Sequence, residues 1–284
     1  MFNTYGEMKS AGHKVDRQEY LNFAEKIIQD ERAAGLVGRP DTVDVEREYI
    51  TNHSYRHLKT IELISPKDKL RILNIGTGHG VLEYFIKKKF GYDVETVDIK
   101  EEVSGYYGNR MKRLGIPQKA CDLNREPLPY DNGSFDVVIF SEVLEHLLVS
   151  PLKPLLEIHR ILKKGGHLIV VTPNVASFSH IVFLICGRHF MPEYPMQMLT
   201  TMPDLKHTRE YTIREMKALL NQAHFMIDTL YMSRYQDRCW IDRKYSLLTN
   251  TGMVLIRNIF RTIVSTVTII FPRFRSTIII RARK

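Results

Sequence analysis

Arg71-Ile-Leu-Asn-Ile-Gly-Thr-Gly-His-Gly80 is a short apolar run that breaks into three glycines at alternate positions. Its length and content suit a buried strand, and the helical spacing of 82–89 follows the turn directly. Glycine adopts backbone conformations closed to other residues and has no Cβ to keep a ligand at a distance. By itself, a strand–glycine–helix unit is equally an ordinary connection. Its surroundings decide what it is.

Outward from this unit, the apolar runs 94–97, 135–140 and 167–172 read as buried parallel strands, with a shorter strand at 118–121. Helical spacing fills the intervals 102–114 and 152–163, the latter stopped by Gly165-Gly166. Such alternation implies an α/β fold with a doubly wound, Rossmann-like sheet and right-handed crossovers. Later runs at 225–232 and 277–281 complete seven strands. Upstream, 16–29 puts Leu21, Ala24, Ile27 and Ile28 on one helical face. Gly35-Leu-Val-Gly38-Arg-Pro40 breaks that helix, and a second runs over 43–64. The expected organisation is an N-terminal helical cover, 1–54, and a sheet domain, 55–284. The sheet domain carries a lid at 175–209 and a basic amphipathic insertion at 243–274.

Asp98 closes the strand after the glycine turn, where a carboxylate accepts hydrogen bonds from a ribose diol. That geometry serves a nicotinamide dinucleotide or S-adenosylmethionine (SAM). The dinucleotide spacing is G-x-G-x-x-G, which seats a pyrophosphate on a helix N-terminus. Here position 81 is Val and the spacing is G-x-G-x-G. SAM carries no phosphate and suits this tighter turn, so an NAD-dependent oxidoreductase is the second reading.

Seven pieces then stand in order. They are Leu73-Asn-Ile-Gly-Thr-Gly-His-Gly80, Val97-Asp98, Cys121-Asp-Leu123, Phe135-Asp-Val-Val138, Ser141-Glu-Val-Leu-Glu-His-Leu147, Arg160-Ile-Leu-Lys-Lys-Gly-Gly166 and Thr172-Pro-Asn174. With them the stretch 55–225 resembles the class I SAM-dependent methyltransferases. The likeness is to a bacterial branch associated with glycans and lipid-linked molecules, near the ubiquinone-pathway O-methyltransferases. The resemblance implies that Gly76, Gly78 and Gly80 line the methionine and ribose of SAM and that Asp98 holds the ribose diol. It implies that Asp122 accepts from the adenine amino group with Leu123 against the ring, and that Ser141 flanks the methionine end. Asn74 departs from the pattern, since the family carries an acid there; this removes a charge near the SAM ammonium.

Glu142, Glu145 and His146 follow the fourth strand. On a helix they would share one face. Two chemistries remain open. His146, with Glu142 beside it, can act as general base toward an acceptor hydroxyl. Alternatively, the carboxylates and imidazole bind a divalent cation that lowers the hydroxyl pKa, as the resemblance to ubiquinone-pathway enzymes implies. Glu145 is read as a helix-starting carboxylate, and no residue is assigned as a metal ligand.

The lid ends in His207-Thr-Arg-Glu-Tyr-Thr212, which resembles a motif of the same branch. Thr212 with Glu215 reads as a capping box. His207, Arg209 and Tyr211 are the candidates for the acceptor pocket, with loop anchoring by Arg209 and Glu210 as the structural alternative.

The 284 residues are 44% apolar and 26% charged, an ordinary globular composition with a net charge of +9. From Arg243 onward there is no Asp or Glu, and the nine cations of that stretch account for the excess. An anionic partner is expected there, either phospholipid or nucleic acid. The Asn/Asp-Pro-Pro-aromatic signature of base-amino methylation is absent, which disfavours nucleic acid. Residues 251–271 are apolar but contain Arg257 and Arg261, each costing about 2.5–3.5 kcal/mol at a bilayer centre. A flat-lying amphipathic helix fits better, with Val254, Leu255, Ile256, Ile259, Phe260, Ile263, Val264, Val267, Ile270 and Phe271 as its apolar stripe. That stripe meets either anionic lipid or the sheet.

Three scattered cysteines and the lack of an apolar leader at 1–10 lead us to expect a cytoplasmic protein, at most peripheral to the membrane's inner face. The expected activity is O-methylation of a hydroxyl on a glycan or lipid-linked small-molecule acceptor. The alternatives are a ubiquinone-type polyprenyl O-methyltransferase, the oxidoreductase, and a SAM-binding module without turnover.

Overall fold

The computed structural model describes residues 12–36, 40–191, 207–234 and 251–284; for 40–42, 101, 251–257 and 261 only the backbone is described. The centre of the expected lid (192–206) and residues 243–250, with Arg243 and Lys244, lie outside the described residues. So do the side chains of Val254, Leu255, Ile256, Arg257 and Arg261, and Cys239.

Seven strands form one sheet: β1 (Arg71–Ile75), β2 (Asp93–Asp98), β3 (Gln118–Ala120), β4 (Phe135–Ser141), β5 (Leu162–Pro173), β6 (Met226–Ser233) and β7 (Thr277–Arg283). Their order is β3-β2-β1-β4-β5-β7-β6. The first five are parallel, and β7 runs antiparallel between β5 and β6. The winding reverses between β1 and β4, so their carboxyl ends open a crevice where a ligand can enter.

Residues along the central strands alternate between two cores, as the period of two requires. Ile72, Val94, Val137 and Ile139 face one side, against Tyr20, Ile28, Ile61 and Phe85. Leu73, Ile75, Val138 and Phe140 face the other, against Leu155, Ile158, Met216 and Leu220. The first side is covered by α1 (Arg17–Ala33), α2 (Pro40–Glu62) and α3 (Val81–Phe90). The second is covered by α6 (Leu152–Ile161) and α8 (Ile213–Gln222). Asp16 starts α1, its Oδ1 accepting from the amides of Gln18 at 2.8 Å and Glu19 at 3.1 Å. Helix α2 runs unbroken across residues 54 and 55.

Two elements differ from the sequence reading. The helix expected over 102–114 is two, α4 (Lys100–Ser104) and α5 (Tyr106–Arg113), parted where Gly105 takes an extended conformation. Gly165-Gly166 does not stop a helix. α6 ends at Ile161, and Gly165, at φ +76°, sits in an irregular stretch of β5 where pairing jumps from Phe135↔Leu162 to Val137↔His167. The capping box of α8 is present: Thr212 Oγ1 accepts from the Glu215 amide at 3.2 Å, and Glu215 Oε2 from the Thr212 amide at 2.8 Å.

Helix α7 (Phe178–Ile185) packs on α9 (Thr251–Ile270), and the apolar stripe expected on α9 is split. Val264 and Thr268 are buried, whereas Ile259, Ile263, Ile270 and Phe271 are exposed. The basic tail is not one cationic surface either. Arg275 donates to the carbonyls of Thr268 and Met232, and Lys284 to that of Leu162. Arg281 and Arg283 approach Asp228. Four of the tail's cations thus serve the sheet and its connections. Among the described residues, no helix is long and apolar enough to cross a membrane.

Candidate active site

A cleft of about 1030 Å³ lies at the carboxyl ends of β1, β2 and β4. It brings together Gly76, Gly78, Gly80, Asp98, Asp122, Leu123, Ser141, Glu142, His146 and His207.

The glycine turn enters the cleft with all three glycines at positive φ (+77°, +57° and +74°). A Cβ at Gly76 would overlap Val143, and one at Gly80 would overlap Met111. Packing therefore demands glycine at 76, where Val143 is short and stiff; at Gly80 the flexible end of Met111 can shift, and Gly78 has open space beside it, so these two answer to conformation. Asp98 Oδ2 accepts from the Thr77 amide at 2.8 Å, and Oδ1 from the Ile99 amide at 2.9 Å. These bonds fix the carboxyl at the end of β2. Burial nevertheless raises its pKa to about 6.

Asp122 follows β3. Its Oδ1 accepts from the amide of Asn124 at 2.9 Å, and its Oδ2 meets Arg125 at 3.2 Å. Asn124 Oδ1 in turn accepts from the Leu148 amide at 2.7 Å, tying this loop to the one after β4.

The segment after β4 is not the α-helix expected from Glu-x-x-Glu-His. Glu142 sits at φ +56°, and only Leu144–His146 form a single 3-10 turn. The three side chains consequently do not share a face. Glu142 Oε2 lies 3.1 Å from Arg56 Nη1 of α2, so this carboxylate is ion-paired. Glu145 turns into the core, fully buried, its Oε2 accepting from Thr172 Oγ1 at 3.1 Å. Burial, then the charge of Glu142, pushes the Glu145 carboxyl well above the ordinary carboxylate range. Its main-chain carbonyl accepts from the amide and hydroxyl of Thr208, at 2.7 and 2.9 Å, which brings His207 back to the cleft.

His146 and His207 meet edge to face with ring centroids 5.0 Å apart. Glu210 Oε1 lies 2.9 Å from His207 Nδ1 and orients that ring. Glu145, His146 and His207 each bring a ligand atom within 4.8 Å of the others.

Arg209 and Tyr211 do not line the cleft, a correction to their assignment as acceptor contacts. Arg209 points to the surface and pairs with Glu215 at 2.7 Å. Tyr211 is buried in the second core, and its carbonyl accepts from the Val175 amide. Spaced two apart, the three would share one side of an extended chain; the bend at Thr208, bonded to the Glu145 carbonyl, separates His207 at the cleft from Arg209 and Tyr211.

Sequence reasoning missed residues that α2, α3 and α5 supply. Arg56 comes from α2. Tyr49, His79 and Tyr107 form a ladder of rings along the wall, at centroid spacings of 4.2 and 4.4 Å. Behind it, Arg110 is fully buried and donates to Glu31 Oε2 at 2.9 Å and Glu46 Oε2 at 3.1 Å, clasping α5 to α1 and α2. Burial opposes ionisation of Glu46, yet hydrogen bonds from His79 and Arg110 hold its pKa down to about 2. Glu83, in the first turn of α3, is also in the lining; in sequence it reads as a carboxylate favoured by the helix dipole.

The family described as "Methyltransferase domain" matches residues 47–230, more than half of the chain and a span that holds every lining residue of the cleft. A ubiquinone biosynthesis O-methyltransferase of Roseobacter denitrificans is 31% identical over 136 residues, covering 47% of this chain and 54% of that protein. A probable S-adenosylmethionine-dependent methyltransferase of Mycobacterium tuberculosis is 28% identical over 187 residues, covering 66% and 58%. The chain thus spans about half the length of the curated relatives it matches. Among solved structures, a putative methyltransferase from Bacillus halodurans superposes with a TM-score of 0.52 at 19% identity, over 81% of this chain and 99% of that one; this likeness concerns the fold alone. With the strand order, the glycine turn and the family match in agreement, the chain belongs to the methyltransferase-domain family.

Proposed function

We propose that the chain is a SAM-dependent methyltransferase that transfers the sulfonium methyl to a hydroxyl of a glycan or lipid-linked small molecule. One observation carries the reading: a single cleft holds both a nucleoside-type set (Asp98, Asp122 and Leu123 beside the glycine turn) and a histidine pair (His146 and His207). Asp98 would hold the ribose diol of SAM, and Asp122 with Leu123 its adenine. The acceptor lies by the histidines. Transfer is a direct displacement: the acceptor oxygen attacks the methyl carbon as the carbon–sulfur bond breaks, leaving S-adenosylhomocysteine. His146 takes the hydroxyl proton. His207, oriented by Glu210, stands beside it.

A second reading of the acceptor end is favoured by the grouping of Glu145, His146 and His207. Glu145 Oε1 is buried without a hydrogen-bond partner, and one carboxylate with two imidazoles is a donor set that suits zinc or iron. A cation held there would lower the pKa of the acceptor hydroxyl.

We further propose that the enzyme works in the cytoplasm at an anionic membrane surface. The exposed Ile259, Ile263, Ile270 and Phe271 of α9 and its end, with Leu184 and Ile185 on α7, support this, as does the exposed cation Arg273. Calorimetric titration with SAM and with NAD tests the cofactor. Release of S-adenosylhomocysteine with cell extract, and a product heavier by one methyl group, tests the reaction. Binding of NAD but not SAM would overturn the reading. Binding of SAM without turnover would leave a SAM-binding module.

A further inference from the structure

Asn74 stands at the end of β1 where the resembled family has an acid, yet the cleft does not lack a carboxylate there. Asn74 Nδ2 donates to Glu83 Oε1, across nine positions of sequence and the whole glycine turn. Both side chains are buried, Asn74 at 4% exposure and Glu83 at 1%, and both line the cleft. Asn74 Oδ1 and Glu83 Oε2 are left without hydrogen-bond partners. A buried carboxylate with an unused oxygen is costly unless something positive or donating meets it. Two unused acceptors on hydrogen-bonded partners that both line the cleft call for a ligand with several donors on one atom. Within SAM that atom is the α-ammonium nitrogen; the ribose hydroxyls and the adenine amino group belong to Asp98 and Asp122 in the reading above.

We propose that Glu83, held in place by Asn74, supplies the carboxylate that binds the α-ammonium group of the cofactor's methionyl end. The charge has moved from the last residues of the strand to the first turn of the following helix. Asn74 then keeps two tasks. Its amide nitrogen orients Glu83, and its carbonyl oxygen adds a second acceptor for the ammonium. Neither task is available to an apolar residue at position 74. Burial raises the Glu83 pKa to about 7, and a cation beside it would favour the ionised form.

This rests on the SAM reading, and the test separates the two by ligand. S-adenosylhomocysteine carries the ammonium group; 5′-methylthioadenosine keeps adenine, ribose and sulfur but lacks it. Calorimetry on the full chain should show that Glu83→Gln weakens S-adenosylhomocysteine by about 10- to 100-fold, the range for a lost charge-assisted hydrogen bond. Methylthioadenosine affinity should stay within about twofold, which also shows that the variant is folded. The double variant Asn74→Asp/Glu83→Gln, with the acid back on the strand, should recover most of the loss. Equal weakening of both ligands, or of neither, overturns the proposal and makes Glu83 a packing residue. If the native chain binds neither nucleoside, the SAM reading itself has failed.

Discussion

Arg56 of α2 and Glu142 after β4 form an ion pair of 3.1 Å with both side chains largely buried. The N-terminal helices therefore reach into the cleft at the segment that carries Glu142 and His146. Glu142 also adopts a φ of +56°, which side-chain-bearing residues rarely take.

Removing one partner of this pair leaves a buried charge uncompensated. Arg56→Met is expected to cost about 3–5 kcal/mol of unfolding free energy, while Arg56→Met/Glu142→Gln costs clearly less. Urea unfolding of the two variants checks this. Equal losses in both would mean that Arg56 matters through packing and not through its charge.

The histidine pair yields the prediction closest to chemistry. His146→Ala should bind S-adenosylhomocysteine as the native chain does, while S-adenosylhomocysteine release in extract falls by about 10²–10⁴-fold. Dialysis against a chelator should leave the native rate unchanged. A rate lost on chelation and restored by zinc or iron would transfer the role from a base to a cation on Glu145, His146 and His207.

What could be read from sequence follows a physical division. The strands and the glycine turn were legible because a doubly buried strand has to be apolar along its length and a tight ligand turn has to be glycine. β1 begins and ends where the apolar run does, and ten of the expected site residues share the cleft. The 3-10 turn at Leu144–His146 was not legible, since nothing in Glu-x-x-Glu-His announces a glutamate at positive φ. Glu83 and Arg56 were missed for a different reason. A carboxylate in a first turn and an arginine on an amphipathic helix are ordinary residues until the fold sets Asn74 and Glu142 beside them. Tyr211 misled because the motif, and not the direction of each side chain, was what the sequence displayed.

Glu83 also makes a prediction in pH. Its folded pKa, about 7, lies above the ordinary 4.5, so the folded chain holds this proton more tightly than the unfolded one. Its contribution favours folding below about pH 4.5 and is lost as pH rises through 7. Glu83→Gln should therefore stabilise the ligand-free protein at pH 8, by about 3 kcal/mol at most, and by less than about 1 kcal/mol near pH 5. The comparison is between variant and native chain at each pH. Several buried histidines, His57 and His180 among them, have lowered pKa values and act in the opposite sense in both proteins. Asp98, raised to about 6, faces Glu83 from β2, and the Tyr20 phenol approaches it from α1. Both side chains remain in the variant, where they no longer meet a charge at position 83. A melting temperature that rises equally at pH 5 and pH 8 would show that the gain is not the removal of a buried charge.

The last prediction concerns α9. Truncating the chain before this helix would also remove β7, which lies between β5 and β6, and so would test folding and not membrane contact. Ile259→Ser/Ile263→Ser changes only side chains that are 51% and 47% exposed, so the fold should be untouched. If these residues enter a bilayer surface, each contributes up to about 1.5–3 kcal/mol of burial there. The double variant should then pellet more than tenfold less with anionic phosphatidylglycerol vesicles than the native chain does. Added salt should weaken the native binding only in part, because four of the tail's cations are engaged within the fold and the apolar side chains carry most of the contact. Identical pelleting of variant and native chain would remove α9 from the membrane.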